Sequence, residues 1–216
     1  MIISFLGSKG GTGKSTLSAL FADILSQRLK RKIEIACVDH DSVLDDTPVK
    51  AVQIDDKDDT KQVLKFADKK KRILIVDGIA NSSKSDKYWT KKSDFVFLPF
   101  TPDERSLNRV LDDLGNIEGL NTWLIPNQIS SNRLRAQKQL KLSAQILKNK
   151  RTTFPIQQKS IIADIYSGIN PSRKLDVVTH WNIHDILVQV GILKGEYLIH
   201  KGAPAPSKKQ IGSIYN

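Results

Sequence analysis

Nine residues near the start of the chain, Ser8-Lys9-Gly10-Gly11-Thr12-Gly13-Lys14-Ser15-Thr16, combine three glycines with two lysines and a run of hydroxyls. Glycine lets a backbone turn tightly and aim successive N–H groups inward, which makes a nest for phosphate oxygens. A helix starting at Lys14 would add its positive N-terminal end to the same anion. Lys14 then reaches the outer phosphates, and the Ser15 hydroxyl is placed to ligate Mg²⁺. Three fixed glycines arise by chance at about 3 in 10⁴ start positions, so an accidental flexible loop is a poor account of the stretch. The common form of such a loop begins with glycine, whereas Ser8 stands there.

A phosphate loop needs a strand before it and a helix after it. Ile2–Leu6 is a short apolar run, and Leu17, Leu20, Phe21, Ile24 and Leu25 follow at helical spacing within Lys14–Lys30. Further apolar runs are Ile33–Val38, Ile73–Val76, Phe95–Leu98 and Thr122–Ile125. Helical segments are expected at Asp58–Lys70, Pro102–Asn116, Asn132–Asn149 and Trp181–Val190. Short, fully apolar strands alternating with helices predict a doubly wound, mostly parallel α/β sheet with helices on both faces. In Asn132–Asn149, Ala136, Leu140, Ala144 and Leu147 share one face, with Lys138, Lys141 and Lys148 on another.

The chain has 216 residues, 39% apolar and 26% charged, which suits one folded domain over residues 1–200. Residues 201–216 hold two prolines without apolar periodicity and read as a loose tail. No run approaches the roughly 20 apolar residues of a membrane span, and no basic leader precedes Ile2, so a cytoplasmic protein is expected. One cysteine, Cys37, excludes an internal disulfide and a cysteine-based metal site. The pair His180/His184 lacks the glutamate of zinc-protease helices.

The net charge of +11 is unevenly spread. Residues 1–130 hold 20 basic and 19 acidic side chains, whereas residues 131–216 hold 14 and 4. That asymmetry points to a polyanion bound by the C-terminal part. Candidate phosphate contacts are Arg133, Arg135, Lys138, Lys141, Lys148, Lys150, Arg151, Lys159, Arg173 and Lys174.

With a second lysine five residues before the loop lysine, the sequence Lys9-Gly10-Gly11-Thr12-Gly13-Lys14-Ser15 resembles the deviant Walker A box of the ParA/MinD ATPases. Asp39-His40-Asp41 is similar to that family's switch box, Ile73–Asp77 to its Walker B strand, and Leu98-Pro99-Phe100-Thr101-Pro102 to the segment that follows. The likeness runs in order to about residue 170 and is to the short ParA type.

The resemblance implies an ATP- and Mg²⁺-dependent ATPase that forms a homodimer around nucleotide. Lys9 would cross to the partner's phosphates, Lys14 would hold phosphates in cis with Gly10 to Thr16, and Asp41 would orient water. Ser15, Asp39 and Asp77 would serve the metal, and Pro126 and Asn127 the adenine. It further implies non-specific double-stranded DNA as a partner, a ParB-like or cargo-adaptor activator, and a nucleoid-associated role in partition. The family's switch box usually continues Asp-Pro-Gln, whereas Ser42-Val43-Leu44 follow Asp41; the difference bears on water orientation and rate. MinD-like membrane binding is the first alternative, but the tail makes a poor amphipathic helix. A P-loop metabolic kinase or ligase is the second, and it has no need of a basic C-terminal part.

Overall fold

The apolar runs pair into one sheet because each exposes side chains to both faces, and only a covered, parallel arrangement buries both. The computed structural model describes residues 1–29, 31–38, 49–69, 72–80, 83–117, 121–148, 150–158 and 177–200. In chain order the elements are β1 (Ile2–Phe5), α1 (Lys14–Arg28), β2 (Lys32–Cys37), β3 (Lys50–Gln53), α2 (Lys57–Ala67) and β4 (Arg72–Asp77). There follow α3 (Ser83–Lys92), β5 (Phe95–Phe100), α4 (Glu104–Asn116), β6 (Thr122–Pro126), α5 (Arg133–Leu147) and α6 (Val177–Gln189). The strand order is β3-β2-β4-β1-β5-β6, and every pairing is parallel. The expected doubly wound fold is what the chain forms.

Alternation along each strand divides the core in two. Ile3, Phe5, Ile35, Ile75 and Phe97 face α1 and α6. Ile2, Leu6, Leu74, Val76 and Leu98 face the layer that includes Phe66 of α2, Trp89 of α3 and Leu107 of α4. Phe5, Phe21 and Phe97 form a trio with centroids 5.0 to 5.4 Å apart, seating α1 on β1 and β5 directly below the glycine loop. The chain moves outward from β1 to β2 and β3, returns to β4, and then crosses to β5 and β6. The carboxyl end of β1 therefore lies where the winding reverses, which is where open α/β sheets bind ligands.

Sequence reasoning overlooked two elements. β3 is a half-exposed edge strand of four residues, and α3 has too few apolar residues to show a helical stripe. Helix α6 begins at Val177 rather than Trp181, and Trp181 is 42% exposed. In α5 the buried residues are Ser143 and Leu147, while Ala144 is exposed, so the face assigned from Ala136, Leu140, Ala144 and Leu147 needs correction. The reason is local: Gln139 turns inward to accept the Ser130 N–H at 2.9 Å, and Ser143 donates to the Gln139 carbonyl. The acidic cluster at residues 55–59 is partly structural, since Asp56 caps α2 by accepting the N–H groups of Asp58 and Asp59.

The far end of α6 is tied by one carboxylate. Asp185 is fully buried and accepts the N–H groups of Leu198, Ile199 and His200. Burial pushes its carboxyl up, but these three donors together with His184 outweigh it and hold the pKa below the usual carboxylate value. His200 stacks on Phe154 at 3.8 Å, closing the chain back over the sheet edge. Residues 201–216, expected to be a tail, lie outside the described residues.

Candidate functional site

Leaving β1, the chain must reverse sharply before α1 can begin. Gly11 and Gly13 take the left-handed conformation, with φ of +73° and +91°. A Cβ on Gly13 would also lie 2.5 Å from the Asn127 amide nitrogen. Helix α1 starts at Lys14 with Gly13 as its N-cap; no side chain caps it, and its first turn holds no acid. The first N–H groups of any helix lack intrahelical acceptors, so this end is built to receive an external anion. Lys14 is buried at 7% exposure, and its ammonium donates to the Lys9 carbonyl at 3.1 Å, arching over the loop. Ser15 and Thr16 are half-buried on the first turn, and Gly10 and Gly11 are open to solvent.

The end of β6 braces the loop from the side. Asn127 donates from its amide to the Thr12 carbonyl at 2.8 Å, and Gln128 to the Gly11 carbonyl at 3.0 Å. Pro126, beside them, is buried. The structure thus spends the Asn127 amide on the phosphate loop itself. Gln128, with φ of +58°, is a loop contact that sequence reasoning missed.

Asp77 ends β4 in register with Phe5 of β1 and Cys37 of β2, fully buried, with the Ser18 hydroxyl 3.5 Å away. The aspartate expected to serve a metal therefore lies at the carboxyl edge of the sheet, beside β1 and α1. Asp39 and Asp41, the switch aspartates, fall outside the described residues. The uncapped helix end, the inward lysine and the Ser15 hydroxyl suit a nucleoside triphosphate with its Mg²⁺. Among the described residues no group of three or more His, Cys, Asp or Glu clusters as a metal site.

Lys9 behaves differently from Lys14. Its side chain leaves the loop towards the start of α4, with its ammonium 3.3 Å from the Thr101 hydroxyl and 3.4 Å from Asp103. Asp103 caps α4 by accepting the Ser106 N–H. Burial raises the Asp103 carboxyl, but the hydrogen bonds from Thr101 and Ser106 and the charge of Lys9 prevail and lower its pKa. Sequence reasoning also missed Arg109 and Asp113 of α4, which hydrogen-bond to Ser8, and Asp86 of α3, buried beside Gly7. They lie about 80 to 105 residues away in sequence, so no local pattern announces them.

Of the basic candidates, Arg133, Arg135, Lys138, Lys141, Lys148, Lys150 and Arg151 are all exposed, most of them along α5. No acidic residue occurs from Ser131 to Gln158. Arg133 and Arg135 occupy the first turn of α5, where the helix dipole disfavours cations by about 0.3–1 kcal/mol. Lys159, Arg173 and Lys174 lie outside the described residues. Among the described residues no helix is long and apolar enough to cross a membrane.

Residues 3–178 match the family model described as the CobQ/CobB/MinD/ParA nucleotide binding domain. The chain belongs to this ParA/MinD family. No curated protein sequence matches it. Solved structures share its fold at low identity. One is a protein of Borrelia burgdorferi B31 assigned to plasmid partition and bound to AMPPNP, with 18% identity, a TM-score of 0.64, and 86% of this chain and 96% of that chain covered. Another is the MinC:MinD cell division complex of Aquifex aeolicus, with 16% identity, a TM-score of 0.66, and 91% and 98% covered. A third is the septum site-determining MinD of Pyrococcus horikoshii OT3 with Mg-ADP, with 16% identity, a TM-score of 0.59, and 88% and 95% covered.

Proposed function

We propose that this ParA/MinD family member is a ParA-type ATPase whose ATP-bound homodimer holds double-stranded DNA without regard to sequence. The observation that carries the reading is the division of labour between two lysines of one loop. Lys14 is buried over the phosphate nest, while Lys9 points away from it to the half-exposed ion pair at the start of α4. A lysine so placed is available to a second molecule's nucleotide, as an arginine finger is.

When bound, Mg-ATP supplies the phosphoryl bond to be broken, and the protein contributes positioning and charge. The amides of Gly10 to Thr16 and the Lys14 ammonium would hold the phosphates, and the Ser15 hydroxyl and Asp77 would serve the metal. Asp39 and Asp41 take the metal and water-orienting roles on the strength of their sequence positions. Pro126 and Asn127 would border the base. Basal turnover would be slow, a ParB-like or cargo-adaptor protein would stimulate it, and the protein would reside on the nucleoid.

The acid-free stretch around α5 supports DNA as the polyanion, since non-specific binding requires clustered cations and no base readout. Exchanging Lys138, Lys141 and Lys148 together for glutamine should weaken DNA binding and reduce its log–log salt slope by about 2 to 3 per chain. ATP binding should be unaltered. Anisotropy titrations of a labelled random duplex at several salt concentrations check this, and an unchanged slope would move the DNA surface elsewhere.

A further inference from the structure

A carboxylate of α4 receives the backbone as it leaves β1, and a second, from α3, is buried beside it. The last sheet bond in this strand is donated by Leu6 to the Phe97 carbonyl at 2.9 Å. Beside Gly7 lies the buried carboxyl of Asp86 of α3. The N–H of Ser8 is taken by Asp113 of α4 at 2.9 Å. Gly7 itself has φ of +122°, so the turn that swings this donor out of the sheet needs glycine there.

Ser8 adds a side-chain contact that glycine cannot make. Its hydroxyl donates to the second oxygen of Asp113 at 2.6 Å, so the carboxylate grips residue 8 through both backbone and side chain. Arg109, one turn earlier on α4, donates from Nε to the same hydroxyl at 2.6 Å. The serine oxygen thus sits between an acceptor and a cationic donor. Both hydrogen bonds involve an ionised partner, the stronger class.

We infer that Asp113, acting through Ser8 and completed by Arg109, is a positioning residue that sets the phosphate-binding loop, so that this chain requires serine where other P-loops carry glycine. The inference rests on the reading that residues 10–16 bind nucleotide phosphate. Its physical content is preorganisation: a loop already fixed at its first residue loses less entropy on binding. Ser8 and Asp113 do not touch the nucleotide nest that begins at Gly10, so they act through the backbone.

The counterintuitive consequence is that Ser8→Gly, which restores the common motif, should weaken nucleotide binding. Loss of two charge-assisted hydrogen bonds corresponds to a rise of about tenfold in the dissociation constant. The test is titration of the full chain with a fluorescent ATP analogue, using wild type, Ser8→Gly, Ser8→Thr, Asp113→Asn and the Ser8→Gly/Asp113→Asn double variant, with thermal unfolding measured alongside. Ser8→Thr, which keeps the hydroxyl, should bind within about threefold of wild type, and the double variant should be little worse than either single one.

Unchanged affinity in Ser8→Gly, with wild type binding normally, would overturn the inference and leave the nucleotide reading intact. So would a lowered unfolding temperature with unaltered affinity, or single-variant penalties that simply add. Failure of wild type to bind the analogue would remove both the nucleotide reading and this inference.

Discussion

Lys9→Ala is expected to leave ATP binding within a few-fold of wild type and to cut stimulated hydrolysis by about 10³-fold, the lower range for a cation supplied in trans. The geometry separates the two effects. On the proposed function, Lys14 and the loop amides would carry the cis contacts, while the Lys9 side chain lies apart from them and its backbone carbonyl accepts from Lys14. Its own ammonium rests on Thr101 and Asp103, with the two side chains of the ion pair 31% and 51% exposed. A surface pair of this kind is worth about 0–1 kcal/mol, so withdrawing the lysine towards a second molecule costs little. Phosphate release with DNA present, together with sedimentation in a non-hydrolysable ATP analogue, checks both halves. A Lys9→Ala protein that dimerises and turns over like wild type would remove the trans-lysine role.

Asp86→Asn should make the protein more stable at pH 8, by on the order of 2 kcal/mol, and no more stable near pH 4. Burial pushes the Asp86 carboxyl up to about 6; the Asp113 charge adds to this, and the Gly7 N–H and Lys14 oppose it. The side chain is 4% exposed. Because the folded chain binds this proton more tightly than the unfolded chain, Asp86 favours folding fully below pH 4. That contribution is lost as pH rises through about 6. Asparagine cannot ionise, so it escapes the cost of a buried charge at high pH. Denaturant midpoints of both proteins at pH 4 and pH 8 decide the matter; an equal difference at the two values would contradict the assignment. The same residue adjoins the phosphate loop, so its ionisation places a negative charge beside Lys14 at neutral pH.

Much of this site was legible because its residues are contiguous. Ser8 to Thr16 lie in one run, and Asp77 ends a strand whose four apolar residues identify it as buried. The doubly wound fold followed from the same short apolar runs. What escaped notice depends on contacts across the chain. Asp113 and Arg109 look like ordinary charges on an amphipathic helix, and nothing near them suggests that they face Ser8. Asp86 sits in a helix whose sequence, Ser83–Lys92, is dominated by polar and charged residues and shows no stripe. Strand β3 is short and half-exposed at the sheet edge, so it lacks the apolar run that revealed its neighbours. The α5 face was misjudged because apolar and basic residues nearly interleave there, and the half-buried contacts of Gln139 with Ser130 and Ser143 decide which side turns in.

The structural features fit together as a switch operated by phosphate. On the proposed function, the nest and Lys14 would sense nucleotide, Lys9 would reach a second copy, and the exposed cations of α5 would meet DNA. Dimerisation would double that basic surface, and because each phosphate contact contributes to the salt slope, affinity for DNA should depend steeply on nucleotide state.

The most direct test is binding of a random-sequence DNA duplex in ADP and in a non-hydrolysable ATP analogue across a salt series. Tight, salt-sensitive binding only with the ATP analogue is the expected result. Equal binding in both nucleotides, or none in either, would contradict a nucleotide-gated DNA clamp.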